Sequence, residues 1–199
     1  GADADSSSDY ARSKAAGETA VLEAIPTATI MRPSIIFGPE DQFFNRFAAM
    51  ARLSPALPLI GGGETKYQPV YVKDVAAAMT AALQQPEWNG KVLELGGPEV
   101  ATFAELMELT LKEIGRSRPL VKLPSFVAKA IASVLQILPA PLLTVDQVEL
   151  LKHDNVVSEG ALGLSDLGIE PSAMSAVLPA YLYRFRRTGQ FADGTTSGT

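Results

Sequence analysis

Residues 27–39 read Thr-Ala-Thr-Ile-Met-Arg-Pro-Ser-Ile-Ile-Phe-Gly-Pro. Thr27 to Met31 is short, β-branched and apolar on both faces, the pattern of a strand buried in a parallel sheet. Arg32-Pro33 reads as its terminator, and the proline-bracketed stretch to Pro39 predicts a loop at the strand's carboxyl end. In open parallel sheets, ligands sit beyond that end. Upstream, Ser6-Ser7-Ser8-Asp9 can cap a helix over about Tyr10 to Ala24, stopped by Pro26. Downstream, Asp41 predicts a cap for a helix carrying Phe43, Phe44, Phe47 and Met50. Leu53 to Thr65 reads as a Pro/Gly loop containing Gly61-Gly62-Gly63. Pro69 to Val72 predicts a brief strand, Asp74 an N-cap, and Asn89-Gly90 a turn into the strand Lys91 to Leu95, closed by Gly96-Gly97-Pro98. Thr102 opens an amphipathic helix with Phe103, Leu106, Leu109, Leu111 and Ile114 inside and Gly115 past its end. Strands alternating with helices predict an α/β chain on a parallel sheet.

Composition limits the chemistry. The 199 residues are 47% hydrophobic and 20% charged, which is enough apolar content to form a core and rules out a disordered or fibrous chain. There is no cysteine, so disulfides, thiolate metal sites and a cysteine nucleophile are excluded. His153 is the one histidine, so no multi-histidine metal cluster forms and no metal is expected. Beside Asp154 it reads as a surface or capping residue, and without a serine nucleophile elbow a hydrolase reading fails. A net charge of −5 gives no general attraction to nucleic acid.

Tyr10 and Lys14 lie four apart on a predicted helix and project from one face. A lysine cation one turn from a phenol favours the tyrosinate form. A tyrosine tuned in this way can give or take a proton at a carbonyl or alcohol, which is the acid-base half of a hydride transfer. Taken alone, Y-x-x-x-K is a common surface pair. Its weight comes from the ordered segments downstream of it: the buried strand, RPSIIFGP at 32–39, QPVYVKDVA at 68–76 and LELGG at 93–97.

With these segments the chain resembles the extended short-chain dehydrogenase/reductases, the NAD-dependent epimerase/dehydratase superfamily that holds sugar-nucleotide epimerases and hydroxysteroid dehydrogenases. YARSKAAGE, MRPSIIFGPEDQFFNRFA and KYQPVYVKDVA are more narrowly similar to the nucleotide-binding accessory subunits of respiratory complex I and their bacterial relatives. The resemblance implies a partial Rossmann-like parallel sheet plus a mainly helical C-terminal lobe. It implies Tyr10 and Lys14 as the catalytic pair, both also cofactor-binding, with Pro33, Ser34 and Ile35 against the nicotinamide. It implies NAD or NADP as cofactor, with NADPH slightly favoured. It gives Asp74 only a structural place. Two further functions stay open: a nucleotide-holding assembly module without turnover, and a sugar-nucleotide epimerase/dehydratase or hydroxysteroid-type dehydrogenase. In the epimerase reading the 61–71 region would meet the nucleotide part of the substrate. Partners implied are complex I subunits, in a bacterial cytoplasm or mitochondrial matrix with peripheral contact at the inner membrane.

The family's glycine-rich strand-to-helix turn, which cradles a pyrophosphate, stands far before its tyrosine. Only nine residues precede Tyr10 here, and Gly61-Gly62-Gly63 reads as a flexible turn. Ser6, Ser7 and Ser8 are too near Tyr10 to be the family's active-site serine. The chain therefore reads as the C-terminal portion of a longer protein whose sheet would pair with the N-terminal half of its domain. Residues 1–100 are expected to complete the nucleotide-binding domain, with a substrate-lobe insertion around 39–69, and 101–190 to form the helical lobe. Residues 191–199 are expected to be a disordered tail. The apolar run 126–138 is too short to span a bilayer. It stays open as a lobe helix, a partner-docking helix or an interfacial membrane helix. Arg184, Arg186 and Arg187 alternate with aromatics over 181–187, which suits either a helix C-terminus or contact with an acidic partner or lipid headgroups.

Overall fold

The computed structural model describes residues 1–136 and 144–187. The expected tail at 191–199 and the last residues of the 126–138 run lie outside them. The chain runs α1 (Asp9–Ala24), β1 (Ile30–Pro33), β2 (Ile36–Phe37), α2 (Phe44–Leu53), β3 (Leu57–Ile60), β4 (Lys66–Tyr67), β5 (Val70–Tyr71) and α3 (Val72–Gln84). It continues with β6 (Val92–Leu95), β7 (Ala101–Thr102), α4 (Phe103–Glu113), β8 (Leu120–Leu123), α5 (Ser125–Leu135), α6 (Val145–Leu150), α7 (Met174–Val177) and α8 (Pro179–Leu182). Three strand pairs are parallel, β1 with β6, β2 with β5 and β3 with β8; β4 and β7 are antiparallel. The architecture is α/β.

The strand expected at Thr27 to Met31 is displaced toward the C-terminus and takes in Arg32 and Pro33. The ladder explains why a proline is tolerated. Ile30 and Ser34 donate their N–H groups to Lys91 and Leu95 of the neighbouring strand, both at 2.9 Å. Pro33 is odd in this alternation, so its missing N–H costs no bond to β6. Among the described residues, β6 is the only strand paired to β1, so its other edge is open.

Three further expectations are corrected. The region read as a Pro/Gly loop contains β3, which pairs parallel with β8 from Leu57↔Leu120 to Ile60↔Leu123. Gly61-Gly62-Gly63 therefore does follow a strand, but leads to β4 and not to a helix. Asp74 is no N-cap: it lies inside the first turn of α3, buried, and accepts from the Ser172 N–H (2.7 Å) and hydroxyl (3.1 Å). Asp41 stands two residues before the N-cap position of α2, yet still accepts from the Asn45 N–H at 3.2 Å. Thr102 forms the full capping box with Glu105, and Gly115 follows α4 with φ +60°.

Three apolar clusters hold the structure. The largest joins α2, β3 and α4 to the last helices, through Phe44, Ala48, Leu57, Phe103, Leu106, Met107, Leu178 and Leu182. The second packs α3 on β6 and the 162–169 segment through Val75, Ala78, Leu93, Leu95, Leu164 and Leu167. The third seats α5 on α6 through Ala128, Ala132, Ile60 and Val148. α5 thus buries Ala128 and Ala132 and leaves Phe126 and Val134 76% and 69% exposed. Among the described residues no helix is long and apolar enough to cross a membrane. Beyond β6, Gly97 passes so close to the β5 lead-in that a Cβ there would lie 2.0 Å from the Pro69 carbonyl oxygen.

Candidate functional site

A cleft of about 1120 Å³ opens at the carboxyl end of β1. Tyr10 from the first turn of α1 lines it, as do Pro33, Ser34 and Ile35 from the end of β1. Four of the five residues singled out in the sequence thus share one cavity. Lys14 is not among the lining residues; its ammonium nitrogen sits 5.3 Å from the Tyr10 ring centroid. That is within the range of a cation–π contact. Tyr10 itself is 51% exposed, its phenol open to an incoming ligand.

α1 presents Tyr10 because Ser8 caps it, its hydroxyl accepting from the Ala11 N–H at 3.3 Å. Ala11 is the only buried apolar residue of α1, so the helix is positioned mainly by polar ties. Its first N–H, on Asp9, donates to Asp146 at 2.8 Å, and Glu18 pairs with Arg32 of β1. The carboxylate and the burial act in opposite directions on Arg32; Glu18 dominates and raises its pKa further above the usual guanidinium value.

Ser34 is buried and already engaged. Its hydroxyl donates to the Asn155 carbonyl at 2.7 Å and accepts from the Gln68 N–H at 3.3 Å. Gln68 in turn donates to the Gly97 carbonyl and accepts from the Val157 N–H, both at 2.9 Å. This network ties the end of β1 to the β4–β5 link and to the 155–157 segment. What Ser34 offers the cleft is its backbone and a fixed position.

Another part of the lining is aromatic. Phe43 lies 5.2 Å from Phe47 and 6.0 Å from Phe103, and Phe47 lies 5.4 Å from Phe103, all edge-on. Tyr67 stands behind Phe43 at 6.3 Å. Burial, with the charge of Asp154 adding, pushes the Tyr67 phenol above its ordinary pKa, so it remains neutral. Helical spacing assigns Phe43 and Phe47 to a helix core and does not connect them to a ligand wall; Phe103, with which they close the wall, comes from α4. His153 is exposed and lies at the rim.

The donor set suits the nicotinamide side of a dinucleotide: an exposed phenol, a nearby ammonium and a fixed strand end bordering one cavity. The pyrophosphate side has no counterpart among the described residues. Gly61, Gly62 and Gly63 turn between two strands, and the Gly97 N–H is used by the Gln68 carbonyl at 3.3 Å. Among the described residues no group of three or more acidic or histidine side chains could hold a metal ion.

Comparison with known proteins gives a consistent result. The family model described as "NAD dependent epimerase/dehydratase family" matches residues 2–96. The mitochondrial NADH dehydrogenase (ubiquinone) 1 alpha subcomplex subunit 9 of Arabidopsis thaliana is 42% identical over 99% of this chain and 52% of its own length. Its Mus musculus namesake is 37% identical over 91% of this chain and 48% of its own. The chain thus spans about half the length of these relatives. A solved structure of UDP-glucose 4-epimerase from Thermotoga maritima, with UDP-glucose, matches with a TM-score of 0.62 at 19% identity, over 90% of this chain and 53% of that one. That likeness shows the fold, a partial Rossmann-like one. In motif order, in the family match over residues 2–96 and in fold, the chain is similar to the NAD-dependent epimerase/dehydratase family, the extended short-chain dehydrogenase/reductases.

Proposed function

We propose that this chain forms the nicotinamide side of a dinucleotide site in an accessory subunit of a respiratory NADH:ubiquinone oxidoreductase, on the matrix or cytoplasmic face. The observation that carries the reading is the convergence of Tyr10 with Pro33, Ser34 and Ile35 on one cleft at the end of β1. The similarity to subunit 9 along nearly the whole chain supplies the assembly. A bound NAD or NADP supplies the hydride donor or acceptor. The Tyr10 phenol holds or releases a proton at a substrate oxygen in the cleft. Lys14 keeps a positive charge against the Tyr10 ring and presents its ammonium to a ribose hydroxyl. Ser34, locked by Asn155 and Gln68, fixes the strand end that borders the nicotinamide. The Phe43–Phe47–Phe103 wall excludes water from its part of the cleft.

A second reading is favoured by that wall: a hydroxysteroid-type dehydrogenase acting on an apolar alcohol or ketone. An aromatic lining suits such a substrate better than a nucleotide-sugar. Affinity purification of the tagged protein from detergent-solubilised membranes separates the two. Core NADH dehydrogenase subunits should co-purify with it. Recovery free of those subunits, with Tyr10-dependent oxidation of an apolar alcohol, would overturn the subunit reading and establish the second.

A further inference from the structure

Away from the cleft, the ends of several elements gather arginines. Arg52 closes α2, Arg116 and Arg118 lead from α4 into β8, and Arg186 and Arg187 follow the last helical turn. Most of these side chains are held in place by carbonyl oxygens. Arg116 Nε donates to Phe185 at 3.3 Å, and Arg186 Nε to Glu113 at 2.8 Å. Arg118 Nε donates to Ala51 (3.1 Å) and Ser54 (2.9 Å), the carbonyls on either side of Arg52-Leu53.

Part of this is ordinary helix termination, since Arg118 and Arg186 meet carbonyls at the ends of α2 and α4. Termination leaves two things unexplained. Among the described residues, none of these five arginines makes an ion pair with a carboxylate, although the chain is acidic overall. The charges acting on Arg116 are all cations, namely Arg118, Arg187 and Arg52; with burial as the first cause, they lower its pKa from the usual guanidinium value. The carbonyl contacts give the geometry: Arg118 bonds the carbonyls on either side of Arg52, and Arg116 bonds Phe185, two residues before Arg187, so four cation-bearing segments are drawn together, which is unfavourable unless an anion joins them. Leu53, 91% exposed, stands among them as an apolar tip.

We propose that Arg52, Arg116, Arg118 and Arg187 form a binding site for a phosphate-bearing anion, distinct from the dinucleotide cleft. Arg116, held on a carbonyl through Nε, and Arg118, held through Nε and Nη1, keep their remaining guanidinium donors pre-oriented for phosphate oxygens, and Arg52 and Arg187 add charge beside them. The ligand is either a soluble phosphate ester or the headgroup of an anionic lipid, into whose interface Leu53 would dip.

The test uses the full chain, with inorganic pyrophosphate by calorimetry and sedimentation with vesicles of phosphatidylcholine, with and without phosphatidylglycerol. Arg52→Glu combined with Arg187→Glu removes the two cations whose side chains hold no carbonyl among the described residues, so the fold is retained. Lys73→Glu with Lys91→Glu, both exposed, makes the same change in net charge elsewhere. Binding of pyrophosphate identifies a soluble ligand, and binding of only the phosphatidylglycerol vesicles identifies a lipid headgroup. In either case the arginine pair should weaken binding by about tenfold or more, and the lysine pair by less than about twofold. Absence of binding to both probes overturns the proposal, as does an equal loss in the two double variants.

Discussion

The Arg32 guanidinium of β1 grips the Glu18 carboxylate of α1 through three hydrogen bonds, one of 2.6 Å from Nη2 and two of 3.0 and 3.2 Å from Nε. Glu18 lies one turn beyond Lys14, and Pro33 follows Arg32, so this pair fixes the helix carrying the phenol to the strand end facing it. Apolar packing contributes little, because α1 buries only Ala11 of its apolar side chains.

Glu18→Gln should therefore loosen α1 without unfolding the cores. Both side chains keep some access to water, so the expected cost is about 1 kcal/mol. Amide hydrogen exchange across residues 11–24 should accelerate while α4 stays protected. Unchanged exchange in α1 would show that other contacts hold the helix.

Gly97→Ala tests the close approach between the end of β6 and the β5 lead-in. A methyl group would overlap the Pro69 carbonyl oxygen, a backbone atom that cannot rotate away. Displacing that backbone would also break the Gly97 N–H to Gln68 bond. A loss of about 3 kcal/mol or more is expected, read as a fall in unfolding midpoint or in soluble yield. Wild-type stability in this variant would show that the two segments leave room for a methyl group.

Tyr10→Phe and Lys14→Met separate chemistry from nucleotide holding. Removing the phenol oxygen should abolish turnover of an alcohol or ketone by at least about a hundredfold and leave nucleotide retention nearly unchanged. Lys14→Met should weaken both, because the ammonium serves the phenol and the ribose. Equal activity of Tyr10→Phe and wild type would leave the site a holding role only.

Acid should act on the α5–α6 contact. Glu149 accepts from Lys129 of α5 and, at 2.6 Å, from Lys152, and these two ammonium groups hold its pKa below the ordinary value. A depressed carboxylate pKa means the stabilisation is present above the unfolded value of about 4.3 and is lost as pH falls through the folded one. Amide protection in α5 should thus drop in acid below about pH 4. Glu149→Gln should remove that pH step while lowering protection at neutral pH. A step of the same size in the variant would place its origin elsewhere.

Legibility in the sequence tracks the range of the interactions. The Thr102–Glu105 capping box and the Ser8 cap are local and were legible. Asp74 carried the same local signal as an N-cap, but its partner is Ser172, 98 residues away. Pro33 looked like a terminator because the alternation that tolerates it is set by β6, some sixty residues on. β3 was hidden by its flanking prolines and glycines, since its partner β8 is distant and short. Motif order singles out Tyr10 and Pro33–Ile35, and these four residues line one cleft. The aromatic wall was not legible, because the helical spacing of Phe43 and Phe47 cannot say that Phe103 of α4 packs against them.

The most direct measurement is saturation-transfer NMR of the 199-residue chain with NADH, a method that reports weak binding and names the ligand atoms touched. The nicotinamide protons should receive the strongest transfer and the adenine protons little, because the chain offers a phenol and strand end but no pyrophosphate turn among its described residues. Ile35→Glu, at the cleft wall, should abolish the nicotinamide signal. Transfer dominated by adenine, or a nicotinamide signal that survives Ile35→Glu unchanged, would contradict the assignment of this cleft.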